Sequence, residues 1–385
     1  MINIIQINNK LYKYESFWRN DKNLLVYDFY GKILPFPEEK NWQNRKLFLI
    51  KLKETEEYLK SKNEFKKYDA SNYKNCILDG QKNITTGYFQ IGKLRWESGL
   101  YHYIDKHFVK PSDEFIDTIF KYSLEPNILH TKKLSKIPGL VEIVYNKRYL
   151  KINRNQLLIM DALMKHGGYK LYVDENNKSL FRYSEHSGLL DFNDNKLEKI
   201  IVSGNTVRTD KNDKDIFLPQ NMIEAFDYEY FFHTHPPTPK PGSRAKLGIL
   251  FEFPSISDIF HFVDHYNEGK TQGSIVIAPE GLYIIRKLNM DNKKIKINED
   301  NLYSKTMDSY MKVQNDALKI YGVNFSQNTF FSKISQDMTF INEINKILNK
   351  FQINIDYYPR VQDKKNRWIL DTIYIPIYPI EPKTN

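Results

Sequence analysis

Two histidines separated by one residue, His233 and His235, lie in the run Phe-Phe-His-Thr-His-Pro. Side chains alternate between the two faces of an extended strand, so both imidazoles point the same way and can bind one ion. Asp258 follows in the first turn of a predicted amphipathic helix that begins at Ser255, where the helix dipole favours a carboxylate. Two histidines, one aspartate and a water make a four-coordinate catalytic zinc site. The sequence therefore predicts a Zn²⁺ site.

A glutamate that could act as a general base precedes these residues. Glu185 lies in the run Tyr-Ser-Glu-His-Ser-Gly-Leu-Leu, beside a glycine and an apolar strand. The ordered set of Glu185, His-x-His-Pro and Ser255-x-x-Asp258 resembles the JAMM, or MPN-type, metalloisopeptidase family. The similarity covers residues 155–290 and includes two later strand-like runs, GSIVIA and GLYIIRK.

The resemblance implies a reaction and a substrate. The family cleaves amide bonds at the C-terminal tail of ubiquitin or a ubiquitin-like protein, so a ubiquitin-conjugated protein or chain is the expected partner. His233, His235 and Asp258 would bind Zn²⁺, which lowers the pKa of a bound water to about 7. Glu185 would take the proton of that water and pass it to the departing lysine amine. The Ser255 hydroxyl would donate a hydrogen bond to the developing oxyanion.

The spacing between the two halves of the motif departs from the family pattern. Residues 236–254 separate His235 from Ser255, which is 19 residues where the family has seven. Ser243 would satisfy the family spacing, but Lys246 stands three positions later and cannot replace an acidic ligand. We therefore keep Ser255 and expect the proline-rich insertion to form a loop beside the site, as a candidate lid.

Each motif also has an interpretation without catalysis. Strand histidines often carry hydrogen-bonded rings, a Ser-x-x-Asp sequence before an apolar run is an ordinary helix capping box, and Glu185 could be a surface residue. A rival metal motif, His261-Phe-Val-Asp-His265, nearly matches H-x-x-E-H but has Asp in place of Glu. Two other functions stay open: a catalytically inactive MPN-like scaffold, and a basic structural or nucleic-acid-associated protein such as a virion component.

A second histidine-containing stretch is interpreted as structural. The run Trp96–Tyr103 contains His102 and is followed by His107, but it is crowded with aromatic residues and shows no third ligand. Cys76 has no catalytic pattern around it and is interpreted as an inert thiol. Because Cys76 is the single cysteine, the sequence indicates a reducing compartment and a cytoplasmic location.

Composition limits the other classes of function. The chain has 385 residues, 41% hydrophobic and 27% charged, as expected of a globular protein. The net charge of +10 is spread among interleaved lysine and acidic residues, which indicates solvated surfaces and makes nucleic acid an unexpected partner. No window has the about 18 unbroken apolar residues of a membrane span, so no membrane association is expected. Abundant Lys, Asn, Ile and Tyr are typical of AT-rich genomes, viral ones included.

Hydrophobic periodicity predicts an α+β fold in three segments. Residues 1–150 form an N-terminal α+β domain of unknown role, which could bind an assembly partner. The resemblance implies that residues 151–290 form an MPN-like zinc hydrolase domain, with a central mixed sheet flanked by helices. Residues 291–385 form a helical segment with a final strand, whose prolines suit the edge of a sheet.

Overall fold

The computed structural model describes residues 2–40, 42–122, 148–173, 179–193, 196–203, 207–209, 227–237, 240–289 and 291–377. The chain divides into two units, Met1–Lys136 and Ile137–Asn385. Both units combine helices with β-sheets, which confirms the predicted α+β class. The division precedes the expected boundary at residue 150 because the strand Arg148–Ile152 pairs within the sheet of the second unit.

The described part of the N-terminal unit, residues 2–40 and 42–122, contains a five-stranded sheet and three α-helices. The strands are β1 (Ile2–Ile7), β2 (Lys10–Glu15), β3 (Phe65–Lys67), β4 (Gly87–Ile91) and β5 (Leu94–Glu97), in the order β1-β2-β5-β4-β3. The helices are α1 (Arg45–Ser61), α2 (Leu100–His107) and α3 (Asp113–Lys121). Four fully buried aromatic residues form much of the core: Phe48, Phe89, Trp96 and Phe115.

The second unit is built on an eight-stranded mixed sheet. Its elements in chain order are β6 (Arg148–Ile152), α4 (Arg154–His166), β7 (Gly168–Val173), β8 (Ser179–Ser184), β9 (Ser187–Asn193), β10 (Lys196–Val202), β11 (Val207–Thr209), β12 (Tyr230–Thr234), α5 (Ile256–Glu268), β13 (Gly273–Ile277), β14 (Gly281–Lys287), α6 (Glu299–Tyr321), α7 (Gln327–Thr329) with a following π-helical turn (Phe330–Ile334), α8 (Thr339–Leu348), β15 (Ile353–Pro359), β16 (Val361–Gln362), β17 (Trp368–Ile369) and β18 (Ile373–Ile377). The large sheet has the order β15-β14-β13-β12-β9-β10-β6-β18, and β11-β8-β7 form a small separate sheet. In the described part of the chain, no helix is both long and apolar enough to cross a membrane.

The C-terminal segment completes the large sheet at both of its described edges. Strand β15 pairs with β14, and the proline-containing β18 pairs with β6 as an edge strand. Arg360, which follows β15, is 1% exposed and forms an ion pair with Asp161 of α4 at 2.5 Å. Its guanidinium also donates to the carbonyl oxygens of Ala278 and Pro279. Residues 291–377 are therefore part of the same folded unit as the predicted hydrolase domain.

The two faces of the large sheet bury two different apolar clusters, and β12 contributes to both. Phe231 packs in the cluster that contains Ile259 and Phe262 of α5. Phe232 packs in the opposite cluster with Met160 of α4. Since side chains alternate along a strand, His233 lies on the same face as Phe231 and is directed toward α5.

Candidate metal centre

His233, His235 and Asp258 meet at one point, and we call them the central cluster. The Nε2 atoms of His233 and His235 are 3.2 Å apart. Asp258 Oδ1 lies 3.2 Å from His233 Nε2, and Asp258 Oδ2 lies 3.3 Å from His235 Nε2. The side chains of His233 and Asp258 are 2% and 0% exposed, whereas that of His235 is 12% exposed. The cluster is thus buried with one histidine reaching toward solvent.

Chain topology explains why His235 and Asp258 meet although 22 residues separate them in the sequence. Strands β12 and β13 are parallel neighbours, and α5 lies in the connection between them. The helix of such a crossover runs back along the sheet, so its N-terminus lies near the carboxyl end of the first strand. His235 extends that end, because its backbone N–H donates to Ile277 O of β13 at 2.8 Å. The inserted residues leave this relation unchanged.

A capping box holds the Asp258 carboxylate in place. Ser255 Oγ accepts a hydrogen bond from Asp258 N at 3.2 Å, and Asp258 Oδ2 accepts one from Ser255 N at 2.6 Å. The Asp258 carboxylate, which was predicted as a metal ligand, is therefore also part of the capping box. It uses Oδ2 for the cap. Asp258 Oδ1 accepts no hydrogen bond of acceptable geometry from the described residues.

The hydrogen bond of His235 Nδ1 fixes its tautomer. This nitrogen lies 3.1 Å from the backbone carbonyl oxygen of Glu252, which can only accept, so Nδ1 carries the proton. In the neutral ring, Nε2 then presents a lone pair to the cluster. A carbonyl partner on the outer nitrogen is the usual support of a metal-binding histidine. The inserted loop supplies this support through its backbone.

The electrostatic field of the cluster favours positive charge. Burial would lower the pKa of His235, but the hydrogen bond and charge of Asp258, with the charges of Glu185 and Glu252, raise it to about 9. Burial opposes ionisation of Asp258 too, yet His233 and His235 hold its pKa well below the ordinary value. A buried carboxylate requires a compensating cation. That cation is either a proton on histidine or a metal ion.

The geometry fits a tetrahedral metal ion. Zinc bonds of about 2.0–2.2 Å place neighbouring ligand atoms about 3.3–3.5 Å apart. The two Nε2 atoms lie 3.2 Å from each other, and Asp258 Oδ1 lies 3.2 Å from His233 Nε2, which is close to this spacing. Each Nε2 faces two other polar atoms, although one ring nitrogen has only one proton or one lone pair to offer. A central cation would satisfy all these atoms and the Asp258 Oδ1 atom. Three protein ligands would leave a fourth position open, as in catalytic zinc sites.

Glu185 lies beside the cluster in the segment between β8 and β9. Strands β9 and β12 are antiparallel, with Ser187 opposite His233. Beyond that pair, Thr234 N donates to His186 O, and His186 N donates to Thr234 Oγ1, both at 2.9 Å. Continuing this register places Glu185 opposite His235, in agreement with the effect of its charge on the pKa of His235.

The inserted loop is anchored to the fold in its second half. Phe251 is buried in the apolar cluster, and its backbone N–H and carbonyl are both hydrogen-bonded to the Gln314 side chain of α6. Glu252 forms an ion pair with Arg244 at 3.2 Å, and burial raises the pKa of its carboxyl group. In the described residues of the insertion, 236–237 and 240–254, the predicted loop conformation is observed, apart from a short 3₁₀ turn at Ala245–Leu247.

Sequence comparison assigns the chain to a family. It is 34% identical over 311 residues to "Uncharacterized protein R413" of Acanthamoeba polyphaga mimivirus, a match that covers 77% of this chain and 84% of the viral protein. The chain belongs to the family of this mimivirus protein. No family model and no solved structure matches the chain. The relationship agrees with the viral origin that the composition suggested.

The other histidines that the sequence singled out are His261 and His265 of α5 and His102 and His107 of α2. The groups of three or more metal-ligating side chains that the described residues form do not include His261 or His265, the rival motif. One group that sequence analysis missed does occur in the N-terminal unit, where Cys76 and Asp79 lie beside His102 and His107. The expectation that His102 and His107 have no third potential ligand is therefore wrong, whereas the interpretation of this stretch as structural stays a prediction. Their spacing was the available signal, because H-x₄-H is a zinc-binding pattern.

Proposed function

We propose that this protein is a zinc-dependent metallopeptidase of JAMM type that hydrolyses peptide or isopeptide bonds at the C-terminus of ubiquitin or a ubiquitin-like protein. The observation that supports the proposal most strongly is the convergence of His233, His235 and Asp258 on one point, with Glu185 in the adjoining segment. This is the residue order on which the resemblance to the family rests. The open fourth position of the cluster suits hydrolysis better than a purely structural ion.

Each residue has a defined role in this proposal. His233, His235 and Asp258 would hold the ion, which when bound supplies a Lewis acid that acidifies water and polarises the scissile carbonyl. The Glu185 carboxylate accepts the proton of the attacking water and delivers it to the departing amine nitrogen. Ser255 can still donate its hydroxyl proton to the carbonyl oxygen of the substrate, because the capping hydrogen bond uses Ser255 Oγ as an acceptor.

Access to the cluster is from the His235 side, since its side chain is the most exposed of the three. Glu252 and Arg244 of the inserted loop border this side through the hydrogen bond from His235 to the Glu252 carbonyl and the Arg244–Glu252 ion pair. The ubiquitin-like tail would therefore pass the anchored half of the loop. Hydrogen bonds to Gln314 hold the second half of the loop in place, so the substrate tail would bind along a rigid surface.

The test is cleavage of a panel of linked ubiquitin chains by the full-length zinc-loaded protein, with and without a zinc chelator. Glu185→Gln should retain zinc and lose activity by about 10²–10⁴-fold, because it removes proton transfer. Glu198→Gln, the same change at an exposed position of β10, is the matched control and should keep full activity. Failure of the zinc-loaded protein to cleave any linkage, or full activity in Glu185→Gln, would overturn the proposal. Bound zinc without cleavage is the result expected of an inactive scaffold.

A further inference from the structure

The N-terminal unit contains a second group of potential metal ligands, which we call the N-terminal cluster: Cys76, Asp79, His102 and His107. His107 Nε2 lies 3.3 Å from Cys76 Sγ, 3.0 Å from Asp79 Oδ2 and 3.3 Å from His102 Nε2. His102 Nε2 lies 3.1 Å from Asp79 Oδ2. All four ligand atoms are within 4.8 Å of one another. The four side chains thus surround one point.

Hydrogen bonds alone cannot satisfy all the contacts of His107 in this arrangement. The single Nε2 atom of His107 faces a sulfur, an oxygen and a nitrogen, yet it has one proton or one lone pair to offer. A cation at the centre would bind a lone pair of each ligand atom at once. Zinc with a thiolate at about 2.3 Å and nitrogen or oxygen at about 2.0–2.2 Å gives ligand separations of about 3.3–3.6 Å. The four separations given above agree with these values within a few tenths of an ångström.

Two local structures hold the ligands independently of any ion. Cys76 and Asp79 lie in a tight loop in which Gly80 N donates to Cys76 O at 3.1 Å and Cys76 N donates to Gln81 O at 2.9 Å. Gly80 has φ +72°, a conformation that favours glycine. The Tyr103 hydroxyl of α2 accepts a hydrogen bond from Ile77 N at 2.8 Å, which joins the loop to the helix that carries the histidines. The site is therefore preformed.

The structure assigns the N-terminal cluster as a structural zinc site that joins the Cys76–Gln81 loop to α2. One thiolate, two imidazoles and one carboxylate suit Zn²⁺ better than Ca²⁺ or Mg²⁺, which prefer oxygen ligands. The sequence spacing Cys-x₂-Asp and His-x₄-His matches that of zinc-finger ligands, with Asp in the place of the second cysteine. Four protein ligands would fill the coordination sphere of the ion, as in structural zinc sites. The central cluster has three ligands and would leave the fourth position open. The assignment does not depend on the proposed peptidase activity.

Because Cys76 is the only cysteine, cobalt substitution can identify this site in the unaltered full-length protein. Co²⁺ bound here should give a thiolate-to-metal charge-transfer band in the near ultraviolet, and the central cluster has no sulfur that could produce one. Asp258→Asn should keep the band, whereas Cys76→Ser should lose it. Co²⁺ binding without a thiolate band in the wild-type protein would overturn the assignment, and this measurement requires no variant to fold.

Metal analysis of the zinc-loaded chain provides the second test. The wild-type protein should contain two zinc ions per chain, and Asp79→Asn should lose one of them. Asp105→Asn, the same change on α2 outside the cluster, is the matched control and should keep both. A wild-type protein that binds one zinc and loses it with Asp258→Asn, or an Asp79→Asn protein that retains two, would contradict the assignment.

Discussion

We expect Glu56 of α1 to make the stability of the N-terminal unit depend on pH. Its side chain is buried, with the residue 8% exposed, and Oε1 accepts a hydrogen bond from Trp96 Nε1 at 2.9 Å. Burial raises the pKa of Glu56 to about 8, although the hydrogen bond from Trp96 and the charge of Lys60 oppose the change. Glu56→Gln keeps the shape of the side chain and an acceptor for Trp96 but removes the ionisable group.

The direction and size of the effect follow from proton linkage. A carboxyl group with pKa 4.5 when unfolded and about 8 when folded binds an extra proton in the folded state between these pH values. The stabilisation is complete below pH 4.5 and is lost as the pH rises through about 8. At about 1.4 kcal/mol per pH unit, the loss reaches about 5 kcal/mol at most. Glu56→Gln should therefore lie within about 1 kcal/mol of the wild type at pH 5 and be more stable than it by several kcal/mol at pH 8.5.

Chemical unfolding followed by tryptophan fluorescence can measure this difference. Three of the four tryptophans, Trp18, Trp42 and Trp96, lie in the N-terminal unit and report mainly on its unfolding. Glu64→Gln, at an exposed position just after α1, is the control and should track the wild type at every pH. An advantage of Glu56→Gln that stays constant between pH 5 and pH 8.5 would refute the reasoning.

Two further substitutions test the scaffold of the second unit. Asp161→Asn should lower the free energy of unfolding by about 3–5 kcal/mol, because it leaves the buried Arg360 guanidinium without its counter-charge. Lys165→Gln removes only the exposed partner of the same carboxylate and should lower the free energy of unfolding by less than about 1 kcal/mol. Equal losses in the two variants would contradict this interpretation of the pair. Gly188→Ala should cost about 1–3 kcal/mol, since its Cβ atom would lie 2.0 Å from Ile201 O and strand β9 would have to shift. A Gly188→Ala protein as stable as the wild type in chemical unfolding would show that β9 can yield without cost.

Local patterns in the sequence were sufficient for the elements that carry the central cluster. Alternation along the strand placed His233 and His235 on one face, and the capping box placed Asp258 in the first turn of α5. The insertion did not obscure the site, because a crossover helix must start near the end of its strand whatever the length of the loop. The assignment of zinc to these side chains stays a prediction.

Contacts between distant parts of the chain could not be predicted in the same way. Strand β15 pairs with β14 although α6, α7 and α8 lie between them, and no local pattern encodes such a pairing. The support of His235 by Glu252 uses a backbone carbonyl, which every residue possesses, so side-chain identity gave no signal. The N-terminal cluster was missed because Asp79 replaces the cysteine that would complete the familiar motif, and because Cys76 is far from α2 in sequence.

X-ray diffraction from crystals of the zinc-loaded protein, with data collected on both sides of the zinc absorption edge, tests the central claim most directly. The account predicts an anomalous peak about 2.0–2.2 Å from the Nε2 atoms of His233 and His235 and from a carboxylate oxygen of Asp258, with no fourth protein ligand. The peak should be absent from crystals of Asp258→Asn. Zinc-loaded crystals with no anomalous density among these three side chains would contradict the account.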